Sequence, residues 1–216
     1  RVSRGLGDVY KRQVIYNGKI VITAMAIVVG KCINASRNAF LQSAPSVLAK
    51  VAITGNMYKV KIISKVRIYD YEELSEADRE LIDKAKEATQ TSYAPFSKFC
   101  VGAAARLSDG RIVTGSNQEN AAFPSSLCAE RTALFYANAR YPEKSVEELA
   151  IAAYAHGAFL KAPIPPCGAC RQVILGVEER YGHPVRILLF GEEGTYVVDS
   201  VKALLPLQFT GETMNE

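Results

Sequence analysis

The chain contains a Cys-x-x-Cys pair, Cys167 and Cys170, and a third cysteine, Cys128, that lies 39 residues before the pair. A pair at this spacing and a distant third thiol can together hold one zinc ion tetrahedrally, with each thiolate about 2.3 Å from the metal. Three protein ligands leave the fourth coordination position open, which is typical of catalytic rather than structural zinc sites. The sequence therefore predicts a fold that brings Cys128 beside the pair to form a catalytic zinc site.

Glu130 lies two residues after Cys128 and is too close to it to be a convenient fourth ligand. A carboxylate at this place is well suited to take the proton of a water molecule at the open coordination position. We therefore predict that Glu130 is the catalytic acid and base.

The positive charge of the chain is confined to its first part. The 216 residues have a formal net charge of +4, but residues 1–56 contain eight basic and one acidic residue, a net of +7. The remainder contains 18 basic and 21 acidic residues, a net of −3. Residues 57–216 therefore lack the basic surface that binding to a nucleic-acid backbone requires.

The numbers of cysteines and histidines limit the kinds of catalytic site that the chain can form. Five cysteines are an odd number, and three of them at metal-like spacing favour a reducing cytoplasm over a disulfide framework. Cys100 lies in an apolar run and is expected to fill the core. The chain has only two histidines, which leaves little material for a Ser-His-Asp or Cys-His nucleophilic site.

Residues 1–56 fit poorly with the rest of the chain, and we expect them to be a non-native or upstream-translated extension that precedes a start at Met57. The apolar stretch 20–29 is too short to span a membrane. It resembles the core of a signal peptide, but secretion would place a thiolate zinc site in an oxidising compartment. We expect residues 57–216 to form a single domain.

Strands and helices alternate along this domain. The stretch 57–69 is expected to be a half-exposed strand or an extended arm, because Lys and Arg alternate with Val and Ile. The patterns predict strands over 99–107, 112–116, 149–155, 185–190 and 196–198, and helices over 75–91, 127–139, 167–180 and 201–205. Such alternation indicates an α/β fold with a mixed sheet and helices on both of its faces.

Two motifs support a family resemblance: C-A-E-R-T-A-L, which begins at Cys128, and P-C-G-A-C-R-Q-V-I, which begins at Pro166. They resemble the small homotetrameric, zinc-dependent cytidine deaminases, and the similarity extends over about 74–209. The resemblance implies a three-layer α/β/α sandwich with a mixed five-stranded sheet and one zinc per subunit. It also implies hydrolytic deamination of cytidine and deoxycytidine in pyrimidine salvage, in a cytoplasmic homotetramer that binds neither nucleic acid nor membranes.

The resemblance also implies a set of substrate-binding residues: Asn117, Glu119, Phe99, Ala129, Phe123 and Phe209. Asn117 and Glu119 would contact the 3′-hydroxyl side of the sugar, for which an amide and a carboxylate are suited. Phe99 would pack on the base, and Phe123 and Phe209 would reach the site of a neighbouring subunit. The family more often has Tyr at the position of Phe123. Without the resemblance, an Asn/Glu loop is usually turn chemistry, and a Phe usually belongs to the core.

The three predicted thiolates lie at predicted helix N-termini, where unpaired N–H groups favour the thiolate form. Three thiolates leave the metal site negatively charged. Arg131 and Arg171 each follow a ligand closely and could donate hydrogen bonds to the sulfurs. The alternative is that each arginine lies on a solvated helix face.

Several rival functions remain open on the sequence. A deaminase of a cytosine-nucleoside antibiotic of the blasticidin type shares C-A-E and P-C-G-x-C-R-Q, although Asn117 and Glu119 favour a plain nucleoside. A thioredoxin-like dithiol would explain Cys167 and Cys170 but gives no role to Cys128 or Glu130. A structural zinc module would need a fourth ligand, for which His156 is the loose candidate. A dCMP deaminase would need a phosphate site, and none is evident.

Overall fold

In the computed structural model of the protein, the residues described are 15–16, 19–20, 52–54 and 57–214. The chain divides into two compact units, Arg1–Lys65 and Val66–Glu216. In the first unit, β1 (Ile15–Tyr16) pairs with β2 (Lys19–Ile20), and β3 (Ala52–Thr54) pairs with β4 (Met57–Lys59), both antiparallel. Most of the predicted extension over 1–56 lies outside the described residues. The same is true of its apolar stretch 20–29, of which only the first residue is described.

The second unit is built on a mixed sheet of seven strands. Its strands are β5 (Arg67–Tyr69), β6 (Cys100–Leu107), β7 (Ile112–Ser116), β8 (Val146–Ala155), β9 (Ala158–Phe159), β10 (Arg186–Leu189) and β11 (Thr195–Val198). The order across the sheet is β5-β11-β10-β8-β6-β7, with β9 paired to β8. Only the β8–β10 pair is parallel.

The α/β fold with a mixed sheet is confirmed, but the expected count of five strands was wrong. Five strands, β7-β6-β8-β10-β11, correspond to the predicted ones, and two more are added. The chain before the first helix supplies β5, which pairs antiparallel with the outer edge of β11. The two-residue strand β9 folds back onto the end of β8. Strand β5 forms the end of the stretch 57–69, which was expected to be a half-exposed strand or an extended arm, and the pattern did not show that it would pair with β11. Strand β9 was not predicted, because two residues are too few for a local pattern.

Helices cover both faces of this sheet. They are α1 (Glu76–Ala88), α2 (Ala129–Arg140) and α3 (Gly168–Tyr181). On β6, Ala104 belongs to the buried cluster that contains Leu81 and Ile82 of α1. The adjacent Ala103 and Ala105 belong to the opposite cluster, with residues of α2 and α3. The central strands are therefore apolar at successive positions because both of their faces are buried.

The helix starts follow the sequence signals. The hydroxyl of Ser75 accepts a hydrogen bond of 3.1 Å from the backbone N–H of Asp78, so Ser75 is the N-cap of α1, as predicted. Cys128 and Cys167 are the N-cap residues of α2 and α3. In the part of the chain that the structure describes, none of the helices has the length and apolar character needed to cross a membrane.

Gly115 on β7 sets the distance between the sheet and α2. A Cβ atom at this position would lie 2.4 Å from the backbone nitrogen of Ala133 and 2.8 Å from the carbonyl oxygen of Ala129. Both are backbone atoms of α2, so a side chain cannot move away to make room. The absence of a side chain at Gly115 thus lets α2, with Cys128 at its N-cap, lie directly on the sheet.

We expect Gly115→Ala to lower the free energy of unfolding by about 3 kcal/mol, because the added methyl forces α2 away from β7. Urea denaturation followed by circular dichroism measures the change. The matched control is Gly176→Ala in α3, where nothing lies within 4 Å of the added Cβ. This control should raise stability by about 0.5–1 kcal/mol, because alanine is the better helix former. Equal denaturation midpoints for Gly115→Ala and the unaltered protein would show that the contact with α2 is not tight.

Candidate active site

Three sulfur atoms meet where two helices begin. The Sγ of Cys167 lies 3.7 Å from that of Cys128 and 3.4 Å from that of Cys170. All three sulfurs lie within 4.8 Å of one another. Thiolates that bind one zinc tetrahedrally at about 2.3 Å are separated by about 3.8 Å. The sulfur positions and the softness of thiolate ligands therefore fit a zinc ion.

The segment before α3 fixes the positions of Cys167 and Cys170. Three prolines, Pro163, Pro165 and Pro166, restrict the backbone just before Cys167. The Nε of Arg171 donates a hydrogen bond of 2.8 Å to the carbonyl oxygen of Pro166. Its Nη1 donates one of 2.6 Å to the carbonyl oxygen of Leu204. The hydrogen bonds of Arg171 thus brace the loop before Cys167, whereas its predicted bond to a sulfur is not among them.

Arg131 supplies positive charge beside the sulfurs. Its Nη2 lies 3.7 Å from the Sγ of Cys128 and donates to the carbonyl oxygen of Ser126 at 3.2 Å. Hydrogen bonds from Cys170 and Arg131 lower the pKa of the Cys128 thiol to about 5. The hydrogen bond to Cys128, together with burial, raises the pKa of the Cys170 thiol. Within the described residues the Nε of Arg131 is buried without a hydrogen-bond partner. A buried donor of this kind is expected to have an acceptor, and a negatively charged neighbour would be a suitable one.

Glu130 is buried in the first turn of α2, with 4% of its surface exposed. Burial raises the pKa of its carboxyl, because the charged form loses hydration, and the nearby Cys128 also raises it. A raised carboxyl pKa is the direction of shift that favours general acid–base catalysis. The catalytic role of Glu130 stays a prediction.

A cavity of about 600 Å³ opens beside the thiols. This volume lies in the range that binds small molecules. Eight of the predicted site residues line it: Phe99, Asn117, Glu119, Phe123, Cys128, Glu130, Arg131 and Cys167. Four others, Ala129, Cys170, Arg171 and Phe209, are not among its lining residues. The structure thus brings most of the predicted residues to one cavity, while their contacts with a substrate stay predictions.

Asn117 and Glu119 hold the loop that forms one side of this cavity. The Oδ1 of Asn117 accepts from the backbone N–H of Val101 at 2.8 Å, and its Nδ2 donates to the carbonyl oxygen of Phe99 at 2.9 Å. The carboxylate of Glu119 accepts from the backbone N–H groups of Phe96, at 2.8 Å, and Ser97, at 3.2 Å. Hydrogen bonds from Ser97 lower the pKa of Glu119, so this carboxyl is ionised. An amide and a carboxylate can each make a further hydrogen bond. The hydrogen bonds that hold this loop are therefore compatible with a sugar contact by the same two side chains.

Comparison with known proteins decides the family. A cytidine deaminase of Halalkalibacterium halodurans is 42% identical over 136 residues, which cover 63% of this chain and 96% of that protein. The chain belongs to the cytidine deaminase family. The family model described as the cytidine and deoxycytidylate deaminase zinc-binding region matches residues 75–180, which include all three clustered cysteines. As a member of this family, the protein is a hydrolase.

Further relatives agree with this membership. A cytidine deaminase of Mycobacterium tuberculosis is 41% identical over 112 residues, which cover 50% of this chain and 79% of that protein. The 1.6 Å crystal structure of cytidine deaminase from Burkholderia pseudomallei matches with a TM-score of 0.52 and 39% identity. That match covers 63% of this chain and 100% of the crystallised chain. The likeness extends over the whole of the crystallised Burkholderia pseudomallei deaminase.

Family membership favours deamination over the rival functions. The metal-binding group in the described part of the chain consists of three cysteines. His156, the candidate fourth ligand of a structural zinc module, lies instead in the turn between β8 and β9. A thioredoxin-like function is disfavoured because it would leave the contacts of Cys128 and the burial of Glu130 without a purpose.

Seven residues that line the cavity were not predicted as site residues from the sequence: Ser97, Val101, Gln118, Ser126, Leu127, Ile164 and Pro165. All of them except Ile164 lie within two residues of a predicted site residue along the chain. Ile164 and Pro165 belong to the proline-rich segment, whose position before Cys167 was the available signal. Which of these side chains face the cavity depends on the packing of the loops, and no spacing rule gives it.

Proposed function

We propose that the protein hydrolyses cytidine and deoxycytidine to uridine and deoxyuridine with release of ammonia. The observation that carries this proposal is the buried Glu130, which shares one cavity with the thiols of Cys128 and Cys167. The nucleoside substrate is supported by the relatives named cytidine deaminase. Pyrimidine salvage in the cytoplasm is the proposed setting.

Cys128, Cys167 and Cys170 would hold one zinc ion per subunit, and Arg131 would offset their negative charge. Zinc, when bound, supplies a Lewis acid that lowers the pKa of a water molecule from about 15.7 to about 7. The fit of a zinc ion is supported by the sulfur separations of 3.4 and 3.7 Å.

Glu130 would carry protons between the water and the base. It takes a proton from the attacking water and delivers it to ring nitrogen 3 of the pyrimidine, while the water oxygen bonds to carbon 4. Glu130 then takes the second proton of the water from the hydroxyl now on carbon 4 and passes it to the amino group, as the bond from carbon 4 to that nitrogen breaks and ammonia leaves. Burial lets the carboxyl hold the proton between these transfers, because the neutral form is favoured away from water.

The lining of the cavity would orient the nucleoside. Phe99 would pack on the base, and Asn117 and Glu119 would bind the sugar from the 3′-hydroxyl side. Ala129 is buried and does not line the cavity, so its place next to the base is proposed from the resemblance alone. These contacts tolerate both ribose and deoxyribose. The ionised carboxylate of Glu119 in the cavity lining disfavours an anionic nucleotide such as dCMP.

We also infer a homotetramer in which subunits share sites through Phe123 and Phe209. The large exposed fractions of these rings, 68% and 58%, support the inference, because large apolar side chains at a surface are commonly covered by a partner. Phe123 also packs edge-to-face on the exposed Phe96, with ring centroids 5.7 Å apart. We further infer a single deaminase domain over 57–216, of which the compact unit Val66–Glu216 contains all the predicted site residues and residues 57–65 belong to the preceding unit.

A direct assay tests the proposed function. The purified protein is mixed separately with cytidine, deoxycytidine, cytosine and dCMP, and the loss of cytosine absorbance is followed. We expect turnover of both nucleosides and none of dCMP. A cytosine-nucleoside antibiotic of the blasticidin type is the fifth substrate. Preference for the antibiotic or for dCMP over both nucleosides would contradict the proposal. Light scattering on the same sample tests the tetramer.

A further inference from the structure

The C-terminal segment of the second unit follows α3 back toward its thiol-bearing end. Near the end of α3, the buried carboxylate of Glu178 accepts from the backbone N–H of Val201 at 2.9 Å and from the hydroxyl of Ser200 at 2.8 Å. Seven residues earlier on the helix, Arg171 donates to the carbonyl oxygen of Leu204 at 2.6 Å. The segment therefore runs antiparallel to α3.

The last of these contacts is made by Gln172. Its Nε2 donates a hydrogen bond of 2.8 Å to the carbonyl oxygen of Phe209. Gln172 lies two residues after Cys170 on the helix, so this bond holds Phe209 beside the turn that carries two of the clustered thiols. The bond fixes the backbone of Phe209 and leaves its ring 58% exposed.

The backbone between the two anchors is strained. Leu207 has a φ of +59°, a left-handed conformation that residues other than glycine rarely adopt, and its side chain is 76% exposed. An exposed leucine gains little from its own packing, so this conformation persists only when the chain on either side of it is held. Arg171 holds it at Leu204 and Gln172 holds it at Phe209.

We infer that Gln172 is a positioning residue, which anchors the C-terminal segment so that Phe209 presents its ring for a nucleoside site. The inference rests on the proposed function, because it gives the presented ring a role in substrate binding. Gln172 is not among the residues that line the cavity, and it does not belong to the group of three cysteines that could hold a metal. Its effect is transmitted through the backbone of Phe209. Loss of the hydrogen bond from Gln172 should therefore weaken substrate binding in the same way as loss of the Phe209 ring.

A double-mutant cycle on the full chain tests this inference. Gln172→Ala should raise the KM for cytidine about fivefold, the effect of losing one hydrogen bond, with kcat within twofold of the unaltered enzyme. Phe209→Ala should raise KM at least as much. Adding Gln172→Ala to Phe209→Ala should then have no further effect on KM. Gln172→Lys, which restores a donor, should recover most of the loss, and Glu179→Ala, at an exposed position on the same helix, is the control.

Cleavage by chymotrypsin under native conditions gives a readout that does not depend on activity. Gln172→Ala should speed cleavage within 204–209, whereas Glu179→Ala should not. An unchanged cleavage rate, an unchanged KM, or KM effects that multiply in the double variant would overturn the inference. If the unaltered protein does not deaminate cytidine, the proposed function fails, and the cleavage rate alone then decides whether Gln172 anchors the segment.

Discussion

Replacing Glu130 with glutamine should reduce the turnover of cytidine about a thousandfold, while the protein still binds one zinc per chain. Glutamine has the shape of glutamate and fills the same buried space in the first turn of α2. Glutamine cannot accept a proton at neutral pH, so both of the proposed proton transfers would lose their carrier. Steady-state kinetics measures the loss, and elemental analysis of the purified variant measures the zinc.

The matched control for this change is Glu192→Gln, which makes the same replacement at an exposed residue of the turn between β10 and β11. Its kcat and KM should equal those of the unaltered protein. Turnover by Glu130→Gln within tenfold of the unaltered rate would contradict the role of Glu130 as proton carrier. Loss of zinc from Glu130→Gln would instead point to a structural role for this carboxyl.

Replacing Cys128 with alanine should abolish zinc binding at stoichiometric metal concentration and remove activity with it. The other two thiols come from a single turn of α3, and two ligands hold zinc far less tightly than three. We expect the zinc content to fall from one per chain to about a tenth or less. A colorimetric chelator, added after thiol modification releases the metal, measures this content.

Cys100→Ala is the natural control, because Cys100 is a free thiol at the start of β6 and lies outside the sulfur cluster. It should keep its full zinc content and its turnover of cytidine. The assignment of Cys128 as a ligand would be wrong if Cys128→Ala kept one tightly held zinc. Circular dichroism shows whether both variants keep the native helix content, so that a folding defect is told apart from the loss of a ligand.

Much of the grouping of residues at this candidate site could be predicted from the sequence, because each of the two motifs is local in the chain. The spacing of Cys167 and Cys170 is a local feature, and so is the distance from Cys128 to Glu130. Helix starts are local as well, and both Cys128 and Cys167 are N-cap residues. That the two motifs lie side by side depends on the fold. The fold was expected from the family resemblance and not from the spacing of the residues.

Features set by tertiary pairing could not be predicted in this way. Strand β9 has only two residues and forms by pairing with the end of β8. The guanidinium of Arg171 bonds to the carbonyl oxygen of Leu204, 33 residues away, rather than to a neighbouring sulfur. Asn117 and Glu119 were singled out for a sugar contact, and in the structure they hydrogen-bond to backbone groups of an earlier segment, residues 96–101. A polar side chain can bind a substrate or hold a loop. Only the positions of the surrounding backbone groups show that it does the second.

The backbone contact between Gly115 and α2 has a consequence for how this enzyme can change. With no side chain between β7 and the helix, small shifts of α2 cannot be absorbed by repacking. Directed evolution toward new nucleoside analogues should therefore accumulate its beneficial substitutions in the loops over 94–99 and 160–166. The turn that carries Cys128 and Glu130 should remain unaltered in every active descendant.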